Sequence, residues 1–283
     1  MMDSLTPPNL APVPQQPPGT QTPRSEPLSA PYTFPRHRLR RHVSRPDAVP
    51  VVLVACGSFS PVSVLHLQMF EMTERYVQDT EFEVVGSYLS PVSDAYNKPS
   101  LARAHHRVAM CCLAVEDGTN IMVDPWETLR CNQAGEPVYT RTVDTLRHFD
   151  HEINDVLGGI HASDGSYKRA RIVLLIGADV AMTMSDPKLW SPADLDVILG
   201  CYGAFIVERP TQTDIQKALE PLKHYDKIWV VNSFYNDVSS TKIRAQLQNR
   251  ETVLDLPEMV YEYIKLHSLY QGSSLQGQQK DGR

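Results

Sequence analysis

The 283-residue sequence predicts an α/β protein in which a parallel sheet carries helices on both faces. Three observations lead to this fold class. Short continuous runs of apolar, β-branched residues recur along the chain, as expected of strands that are buried on both faces. Segments with apolar residues at helical spacing separate these runs, and turns containing glycine, proline or serine follow them. Strands that alternate with helices in this way are joined by crossovers, which make neighbouring strands parallel.

The first strand and helix show the pattern most clearly. The run VVLVAC after Pro50 predicts a buried strand, the cluster GSFSPVS a loop, and VLHLQMFEMTERYVQ a helix. The later predicted elements, in chain order, are the strand FEVVGSYLS, the helix LARAHHRVAMCCLAVE, the strand NIMVDPWE, the helix VDTLRHFDHEINDVLG, the strand RIVLLIGAD, the helix DLDVILGCY, the strands YGAFIVER and KIWVVN, and the helices TKIRAQLQ and PEMVYEYIKLHSLY. Residues 161–170 predict a surface loop before the central strand. Ligands of such sheets bind outside the carboxyl ends of the strands.

Proline marks the predicted boundary of the folded domain. Half of the 22 prolines lie in residues 1–49, together with many Ser, Gln and Thr residues. Such a segment buries too little apolar surface to offset the entropy of ordering. We therefore predict a disordered, Pro-rich tail over residues 1–48, one domain over residues 49–271 and a flexible tail over residues 272–283. The basic cluster Arg36–His42 is either a nuclear-import or acidic-partner signal, or solvated charge beside the domain.

Composition excludes several classes of function. The net charge of -6 divides into about +3 in the tail and about -9 in the remainder, which argues against a nucleic-acid partner. No apolar run approaches the roughly 20 residues that span a bilayer, and the N-terminus lacks a signal-peptide pattern. We therefore expect no membrane partner and a location in the nucleus, the cytoplasm or both. The five cysteines have no CxxC spacing and predict neither disulfides nor a zinc site.

Residues 57–66, GSFSPVSVLH, follow the first strand and open the first helix. Gly57 lets the backbone approach a ligand closely, and the unpaired N–H groups at the start of a helix attract phosphate. His66 lies in the first turn of that helix and faces the same place. The segment lacks the further glycines of a dinucleotide fingerprint and the GK[ST] ending of a P-loop.

A second polar segment, NDVSSTKIR at residues 236–244, precedes a helical pattern. Serine and threonine in this position are N-cap signals, which by themselves indicate only the start of a helix. Thr241 and Arg244 are three residues apart and share one helix face. They therefore present a hydroxyl and a guanidinium group to an anion at the helix N-terminus.

Together, the GxFxPxxxxH loop and the VSSTKIR segment are similar to the paired signature of the nucleotidylyltransferase superfamily. The resemblance is closer to one of its families, the eukaryotic nicotinamide mononucleotide (NMN) adenylyltransferases. It covers residues 50–271 and includes, in this order, VVLVACGSFSPVSVLHLQMFE, SPVSDAYNK, AHHRVAMC, VDPWE, GADV, LW, NDVSSTKIR and YIKLHSLY. It implies a Rossmann-like fold and transfer of the AMP moiety of ATP to the 5′-phosphate of NMN and of nicotinate mononucleotide (NaMN). The products would be NAD or deamido-NAD, with pyrophosphate.

The resemblance also implies a role for individual positions. His66, Lys98 and Arg244 would supply positive charge for catalysis. The implied nucleotide-binding residues are Gly57, Ser58, Phe59, Ser63, His66, Lys98, Gly177, Asp179, Asn236, Ser240, Thr241, Lys242, Ile243 and Arg244. The implied NMN-binding residues are Ser58, Tyr139, Thr142, Leu189 and Trp190. Ser63 stands where the family usually has Thr, and Tyr139 where some members have Trp. Trp126 is expected to be structural or to lie behind the residues that contact the ligand, and the histidines at 105, 106, 148 and 151 to be surface or core residues.

The implied mechanism needs no side-chain nucleophile or general base, because the attacking phosphate oxygen is already an anion. Catalysis then consists of aligning two polyanions and stabilising the charge that develops on the leaving pyrophosphate. The implied cofactor is Mg²⁺ carried by the ATP phosphates, with no metal site of the protein. The implied partners are ATP, NMN, NaMN, NAD and further copies of the chain in a homo-oligomer. The alternatives are a related transferase with another phosphate acceptor, a nucleotide-binding chaperone or scaffold, and an NAD sensor.

Overall fold

A computed structural model of the protein describes residues 32–96, 98, 100–116, 118–162, 164–208, 214–232, 239–249 and 251–271. The predicted α/β fold is confirmed. The strands are β1 (Val49–Gly57), β2 (Phe82–Pro91), β3 (Ile121–Val123), β4 (Ile160–His161), β5 (Tyr167–Lys168), β6 (Arg171–Gly177), β7 (Ala204–Val207) and β8 (Ile228–Val231). The α-helices are α1 (Val64–Val77), α2 (Ala104–Val115), α3 (Trp126–Leu129), α4 (Thr142–Asp150), α5 (Ala178–Thr183), α6 (Pro192–Val197), α7 (Ile215–Leu219), α8 (Ser240–Gln248) and α9 (Glu258–Leu266). π-helical turns extend α4 through Val156 and α6 through Tyr202.

Six strands form one parallel sheet in the order β3-β2-β1-β6-β7-β8. The register of its longest pair runs from Val49 opposite Phe82 to Gly57 opposite Pro91. The chain builds the sheet outward from β1 to β3, returns to β6, and then builds outward in the other direction to β8. In sheets of this topology the ligand site lies outside the carboxyl ends of the two strands at which the direction changes. Here those strands are β1 and β6.

The central strand β1 is buried on both faces. Val51 and Leu53 contact the layer that contains α1, α2 and α9, whereas Val52 and Val54 contact the layer that contains α4 and α6. All four side chains are 0% exposed, which explains why this strand is a continuous apolar run without alternation. Within the described part of the chain, no helix is long and apolar enough to cross a membrane.

The predicted domain boundary at residue 49 is wrong, because residues 32–48 pack against the sheet. We call this segment the N-terminal strap. Its apolar side chains Phe34, Leu39 and Val43 are buried in the same layer as α4. Residues 1–31 and 272–283, the remainder of the two predicted tails, lie outside the described residues.

The basic cluster of the strap binds backbone carbonyl groups. Arg38 Nη1 donates to the carbonyl oxygens of Val115 at 2.6 Å and Ile121 at 2.7 Å. Arg41 Nη2 donates to the carbonyl oxygen of Leu157 at 2.6 Å. The interpretation of the cluster as solvated charge is therefore wrong for Arg38 and Arg41. Their guanidinium groups satisfy carbonyl groups where helices and strands end.

Two other segments differ from the prediction. The predicted surface loop at residues 161–170 contains most of a small antiparallel hairpin, in which Ile160 pairs with Lys168 and His161 with Tyr167. The predicted strand NIMVDPWE ends at Val123, and a four-residue helix replaces its second half. Proline restricts the backbone there and cannot donate a ladder hydrogen bond, which ends the strand.

Candidate active site

A cavity of about 960 Å³ opens at the carboxyl ends of β1 and β6, where the topology predicts a ligand site. Segments that follow β1, β2 and β6, together with the loop before α4 and the loop before α6, form its walls. The predicted site residues that line this cavity are Gly57, Ser58, Phe59, His66, Lys98, Tyr139, Thr142, Gly177, Asp179, Leu189 and Trp190. The structure therefore brings residues that are up to 133 positions apart into one site.

The loop after β1 has an unusual backbone. Phe59 has a φ of 42°, a left-handed conformation that is uncommon for a residue with a side chain. Its buried ring turns back over the chain, and a Cβ atom at Gly57 would lie only 3.0 Å from it. The same ring packs edge-on against His66, with 5.2 Å between the ring centroids. Gly57 is therefore needed for the shape of the loop as well as for close approach of a ligand.

His66 is fixed by the residue that caps its helix. The backbone N–H of Ser63 donates to Nδ1 of His66 at 3.0 Å, and the Ser63 hydroxyl lies 2.8 Å from the same nitrogen. Because Nδ1 accepts from a backbone donor, the neutral imidazole carries its proton on Nε2. Ser63 itself is 1% exposed and its side chain engages His66, and the nucleotide-binding role that the resemblance implies for it stays a prediction. It positions the histidine.

The two other predicted cations occupy different places. Lys98 lines the cavity, and its pKa is lowered by burial and by the neighbouring Arg244, while Asp179 opposes the shift. Arg244 lies behind the loop and is 8% exposed. Its Nη1 donates to the carbonyl oxygen of Ser60 at 2.8 Å, and its Nη2 to the hydroxyl of Thr241 at 3.3 Å. Arg244 thus supports the loop and places a positive charge close to Lys98, and the role towards phosphate that the resemblance implies for it stays a prediction.

The start of α8 is tied to the same loop. The Ser240 hydroxyl donates to the carbonyl oxygen of Pro61 at 2.9 Å. The side chain of Ile243 is fully buried in the core, and its implied place among the nucleotide-binding residues stays a prediction. Asn236 lies outside the described residues. The exposed side chains of this first helical turn are those of Thr241 and Lys242.

The other end of the cavity is aromatic. Trp190 is held by a hydrogen bond from its Nε1 to the hydroxyl of Thr183, at 3.0 Å. Tyr139 stacks on Tyr96, with ring centroids 5.9 Å apart and ring planes 23° apart. Thr142 is the first residue of α4 and lines the cavity beside them. Aromatic faces of this kind suit a planar cationic ring.

Sequence reasoning missed Arg107, which lies beneath the cavity. Its side chain is 0% exposed and donates to the carbonyl oxygens of Ser58 at 3.0 Å, Val92 at 2.7 Å and Ala102 at 2.9 Å. It also forms an ion pair with Asp94 at 3.2 Å. Arg107 thus joins the loop after β1 to the loop after β2, which carries Lys98. The sequence did contain one signal: a charged residue stands three and four positions before buried apolar residues of the same helix, and so shares their face.

Glu127 was also missed. It lines the cavity from α3, although it is only 2% exposed, and its Oε1 accepts a hydrogen bond from the Ser90 hydroxyl at 2.6 Å. Burial raises the pKa of Glu127 to about 8. No local signal pointed to it, because its burial depends on β2 and α4, which are distant in sequence.

Next to Glu127, Trp126 has the structural role that the sequence predicts. Its ring stacks in parallel on His148, with 4.0 Å between centroids. Nε2 of His148 lies 3.0 Å from a carboxylate oxygen of Asp124 and 2.9 Å from the hydroxyl of Tyr32, which belongs to the strap. His148 is therefore a core histidine, one of the two alternatives expected for it.

A residue from beyond α9 completes the loop after β1. The hydroxyl of Tyr270 lies 2.7 Å from that of Ser60, whose oxygen also accepts from the backbone N–H of Ala102 at 3.0 Å. Burial raises the pKa of Tyr270 to about 12. The loop after β1 is thus held by side chains from α2, α8 and the segment after α9.

Comparisons with known proteins agree with this geometry. Residues 54–246 match the cytidylyltransferase-like family. Nicotinamide/nicotinic acid mononucleotide adenylyltransferase 1 of Saccharomyces cerevisiae is 44% identical over 84% of this chain and 60% of its own length. The adenylyltransferase 1 of Bos taurus is 33% identical over 81% of this chain and 91% of its own length. The chain belongs to the nicotinamide/nicotinic acid mononucleotide adenylyltransferases.

A solved adenylyltransferase shares the fold. The nicotinic acid mononucleotide adenylyltransferase of Plasmodium falciparum complexed with NaAD superposes with a TM-score of 0.52 at 16% identity, over 78% of this chain and 97% of that chain. This likeness confirms the Rossmann-like architecture expected of an adenylyltransferase. The present chain spans about 60% of the length of its Saccharomyces cerevisiae relatives.

Proposed function

We propose that the chain transfers the adenylyl group of ATP to the 5′-phosphate of NMN and of NaMN, with NAD or deamido-NAD and pyrophosphate as products. One observation carries the proposal: a single cavity joins an end suited to phosphate with an end suited to a pyridine ring. The first end has the Gly57–Phe59 loop, His66 and Lys98, and the second has Tyr139 and Trp190. A dinucleotide forms when two mononucleotides meet through their phosphates between two such ends.

The reaction exchanges one phosphorus–oxygen bond for another. An anionic oxygen of the mononucleotide phosphate attacks the α-phosphorus of ATP and forms the new bond. The bond between the α-phosphorus and the bridging oxygen breaks, and pyrophosphate leaves with that electron pair. No proton has to be removed from the attacking oxygen, so the site needs alignment and stabilisation of negative charge rather than a general base.

The phosphate end can provide this stabilisation. With Nδ1 engaged by Ser63, His66 offers its Nε2–H group as a hydrogen-bond donor towards phosphate oxygens. Lys98 adds a positive charge on the cavity wall, and Arg244 adds one behind the loop. Because these donors and charges are already in place, little reorganisation energy is needed when negative charge develops on the leaving group.

The aromatic end positions the acceptor. Trp190 cannot swing freely, because its Nε1–H group is bonded to Thr183. Its face can therefore cover the pyridinium ring of either mononucleotide through a cation–π contact. Thr142, the first residue of α4, places its hydroxyl group beside that ring. Leu189 supplies apolar surface next to Trp190.

Mg²⁺ would reach the site as part of the ATP substrate. Among the described residues, no group of three His, Cys, Asp or Glu side chains could hold a metal ion. Mg²⁺ retains several waters and is commonly held through substrate phosphates. The ion would then be bound through the triphosphate, where it would neutralise charge.

The test is an assay of the purified chain with MgATP and either NMN or NaMN. We expect NAD or deamido-NAD to appear together with an equal amount of pyrophosphate. Turnover with another phosphate acceptor, such as pantetheine phosphate, but with neither mononucleotide would contradict the proposal. Tight nucleotide binding without turnover would favour a chaperone, scaffold or sensor instead.

A further inference from the structure

The two acceptors of the proposed reaction differ only at one substituent of the pyridine ring. NMN has a neutral carboxamide there, whereas NaMN has a carboxylate. The ring of NMN therefore carries an uncompensated positive charge, and that of NaMN is neutral overall. A protein group near this ring that gains or loses a charge must therefore change the relative rates at which NMN and NaMN are used as acceptors.

Glu127 lies near the aromatic end of the cavity, where burial and, to a smaller extent, the charge of Glu127 raise the pKa of Tyr139. It lines the same cavity as Trp190 and is 2% exposed. The Ser90 hydroxyl donates to its Oε1 at 2.6 Å, and the hydroxyl of Thr145, which also contacts the Arg141 carbonyl oxygen at 3.4 Å, lies beside the carboxyl group. Thr145 follows Thr142 by three residues and so lies one turn further along the same face of α4. Glu127 is therefore one helical turn deeper than the threonine that borders the predicted ring position.

The groups that face Glu127 come from several elements. Asp124, from the segment after β3, raises the pKa of Glu127, and Arg107, from α2, lowers it. Cys56, at the end of β1, has a pKa raised well above its usual value by burial, and burial raises that of Tyr139 to about 12. Both therefore stay protonated and uncharged around neutral pH.

Asp124 and Arg141, two other charged groups near this end, are paired, and Lys188 and Glu136 also line the cavity. Asp124 lies 3.0 Å from His148 and accepts a hydrogen bond from Tyr32 at 3.1 Å. Arg141 forms an ion pair at 3.1 Å with Asp194 at the rim of the cavity. Arg107 is committed to three carbonyl oxygens and Asp94, as described above. Glu127 is held by hydroxyl donors, which serve its neutral and its ionised form.

We propose that the charge of Glu127 sets the relative acceptance of NMN and NaMN, an inference that rests on the proposed function. Neutral Glu127 admits the carboxylate of NaMN. Ionised Glu127 repels that carboxylate and attracts the uncompensated ring charge of NMN. The residue acts as a specificity determinant and takes no part in bond formation.

The direction of the pH effect follows from burial. Because burial raises the pKa of Glu127 to about 8, the neutral form dominates at pH 7 and the ionised form above pH 9. Preference for NaMN over NMN should therefore fall as pH rises. We expect a decrease of about tenfold between about pH 7 and pH 9.5, the effect of one unit charge about 12 Å from the substituent at an effective dielectric constant of about 20.

A competition assay measures this ratio directly. The full chain is supplied with MgATP and equal concentrations of NMN and NaMN, and the initial rates of NAD and deamido-NAD formation are compared at each pH. Titration of ATP, of the 5′-phosphate that both acceptors share, or of groups that act on these phosphates affects both products alike and cancels. The ratio of deamido-NAD to NAD should fall with a midpoint near pH 8.

Two variants connect the effect to Glu127. In Glu127→Gln, which is neutral at every pH, the ratio should stay constant at the value of the unchanged protein at low pH. In Ser90→Ala, the loss of a hydrogen bond that favours the carboxylate should move the midpoint to higher pH. The matched control is Glu136→Gln, an exposed carboxylate on the same cavity, which should keep the midpoint near pH 8.

The outcomes separate this inference from the function on which it rests. Turnover of neither mononucleotide would overturn both. Turnover of both with a pH-independent ratio would overturn this inference alone, as would a folded Glu127→Gln variant that keeps the pH step. If Glu127→Gln does not fold, the test is the pH dependence of the product ratio in the unchanged protein and the shift of its midpoint in Ser90→Ala. A purely structural Glu127 would alter both rates together and leave the ratio unchanged.

Discussion

The two ends of the cavity are held in place by different means. At the phosphate end, the buried guanidinium groups of Arg107 and Arg244 bind the carbonyl oxygens of Ser58 and Ser60 from behind. At the aromatic end, neutral hydroxyl groups hold the functional side chains, as Thr183 holds Trp190. The phosphate end is therefore a backbone loop supported by charge, and the aromatic end is a set of side chains supported by neutral hydrogen bonds.

This difference matches the ligands that each end would bind. In a trans peptide the C=O and N–H groups point in opposite directions. The bond from Arg107 to the Ser58 carbonyl therefore turns the N–H of Phe59 away from the arginine. The arginines thus add positive charge and orient a backbone donor, both of which favour anions. The neutral hydrogen-bonding groups at the other end add no net charge. The electrostatic interactions there therefore depend on the pyridine ring and on charged groups such as Glu127.

The largest effect is expected from removing a support of the phosphate end. Arg107→Met leaves three carbonyl groups and Asp94 without their buried partner, and should lower the free energy of unfolding by about 3 to 5 kcal/mol. Denaturant unfolding measures this loss. Arg103→Ala, an exposed arginine one turn earlier in the same region, should change it by less than about 0.5 kcal/mol. Equal stability of the two variants would contradict the supporting role.

The next effect concerns a donor that faces the ligand. His66→Ala should lower kcat by about 10²-fold, because one fixed electrostatic contact to the reacting phosphates is lost. The free energy of unfolding of this variant should fall by only about 1 kcal/mol, the cost of losing a helix-capping interaction. His105→Ala, at an exposed position, should retain normal turnover. A folded His66→Ala variant with near-normal kcat would show that the imidazole does not act on phosphate.

At the aromatic end, a change should affect only one substrate. Trp190→Ala should raise KM for NMN by about tenfold and leave KM for ATP nearly unchanged, because the lost contact is with the pyridine ring. Steady-state kinetics with each substrate varied in turn will show the difference. An equal rise of both KM values would place the ring elsewhere in the cavity.

The smallest effect should come from a support of the aromatic end. Thr183→Val removes the acceptor of the Trp190 hydrogen bond and keeps a similar shape. We expect a rise of about threefold in KM for NMN, consistent with the loss of a neutral hydrogen bond of about 0.5 to 1 kcal/mol. An effect as large as that of Trp190→Ala would mean that the hydroxyl contacts the substrate itself.

Local chemistry explains which features could be predicted from sequence. The run VVLVAC and the following Gly57 predicted β1 and its loop, because burial on both faces and a tight backbone need particular residue types at adjacent positions. The aromatic wall at Trp190 came from the family resemblance. Arg107 was visible only as a charge on an apolar helix face, and its partners Ser58 and Val92 could not be inferred from that face.

Long-range contacts explain what could not be predicted. The strap has the composition of a disordered segment, yet Arg38 and Arg41 bind carbonyl groups that are 77 and 116 residues later in the chain. Glu127 belongs to a four-residue helix that is too short to show periodicity, and its burial depends on Ser90 and Thr145. Composition reflects only residues that are close in sequence. The burial and hydrogen bonds of the strap and of Glu127 depend on residues that are close only in the folded structure.

The bond between Ser60 and Tyr270 has a consequence for how the protein is made. The two residues are 210 positions apart, and synthesis is vectorial. The strand, loop and first helix emerge from the ribosome early, but the hydroxyl that steadies the loop emerges only after α9. The last contact of the loop after β1 therefore becomes available only after β8 has been synthesised.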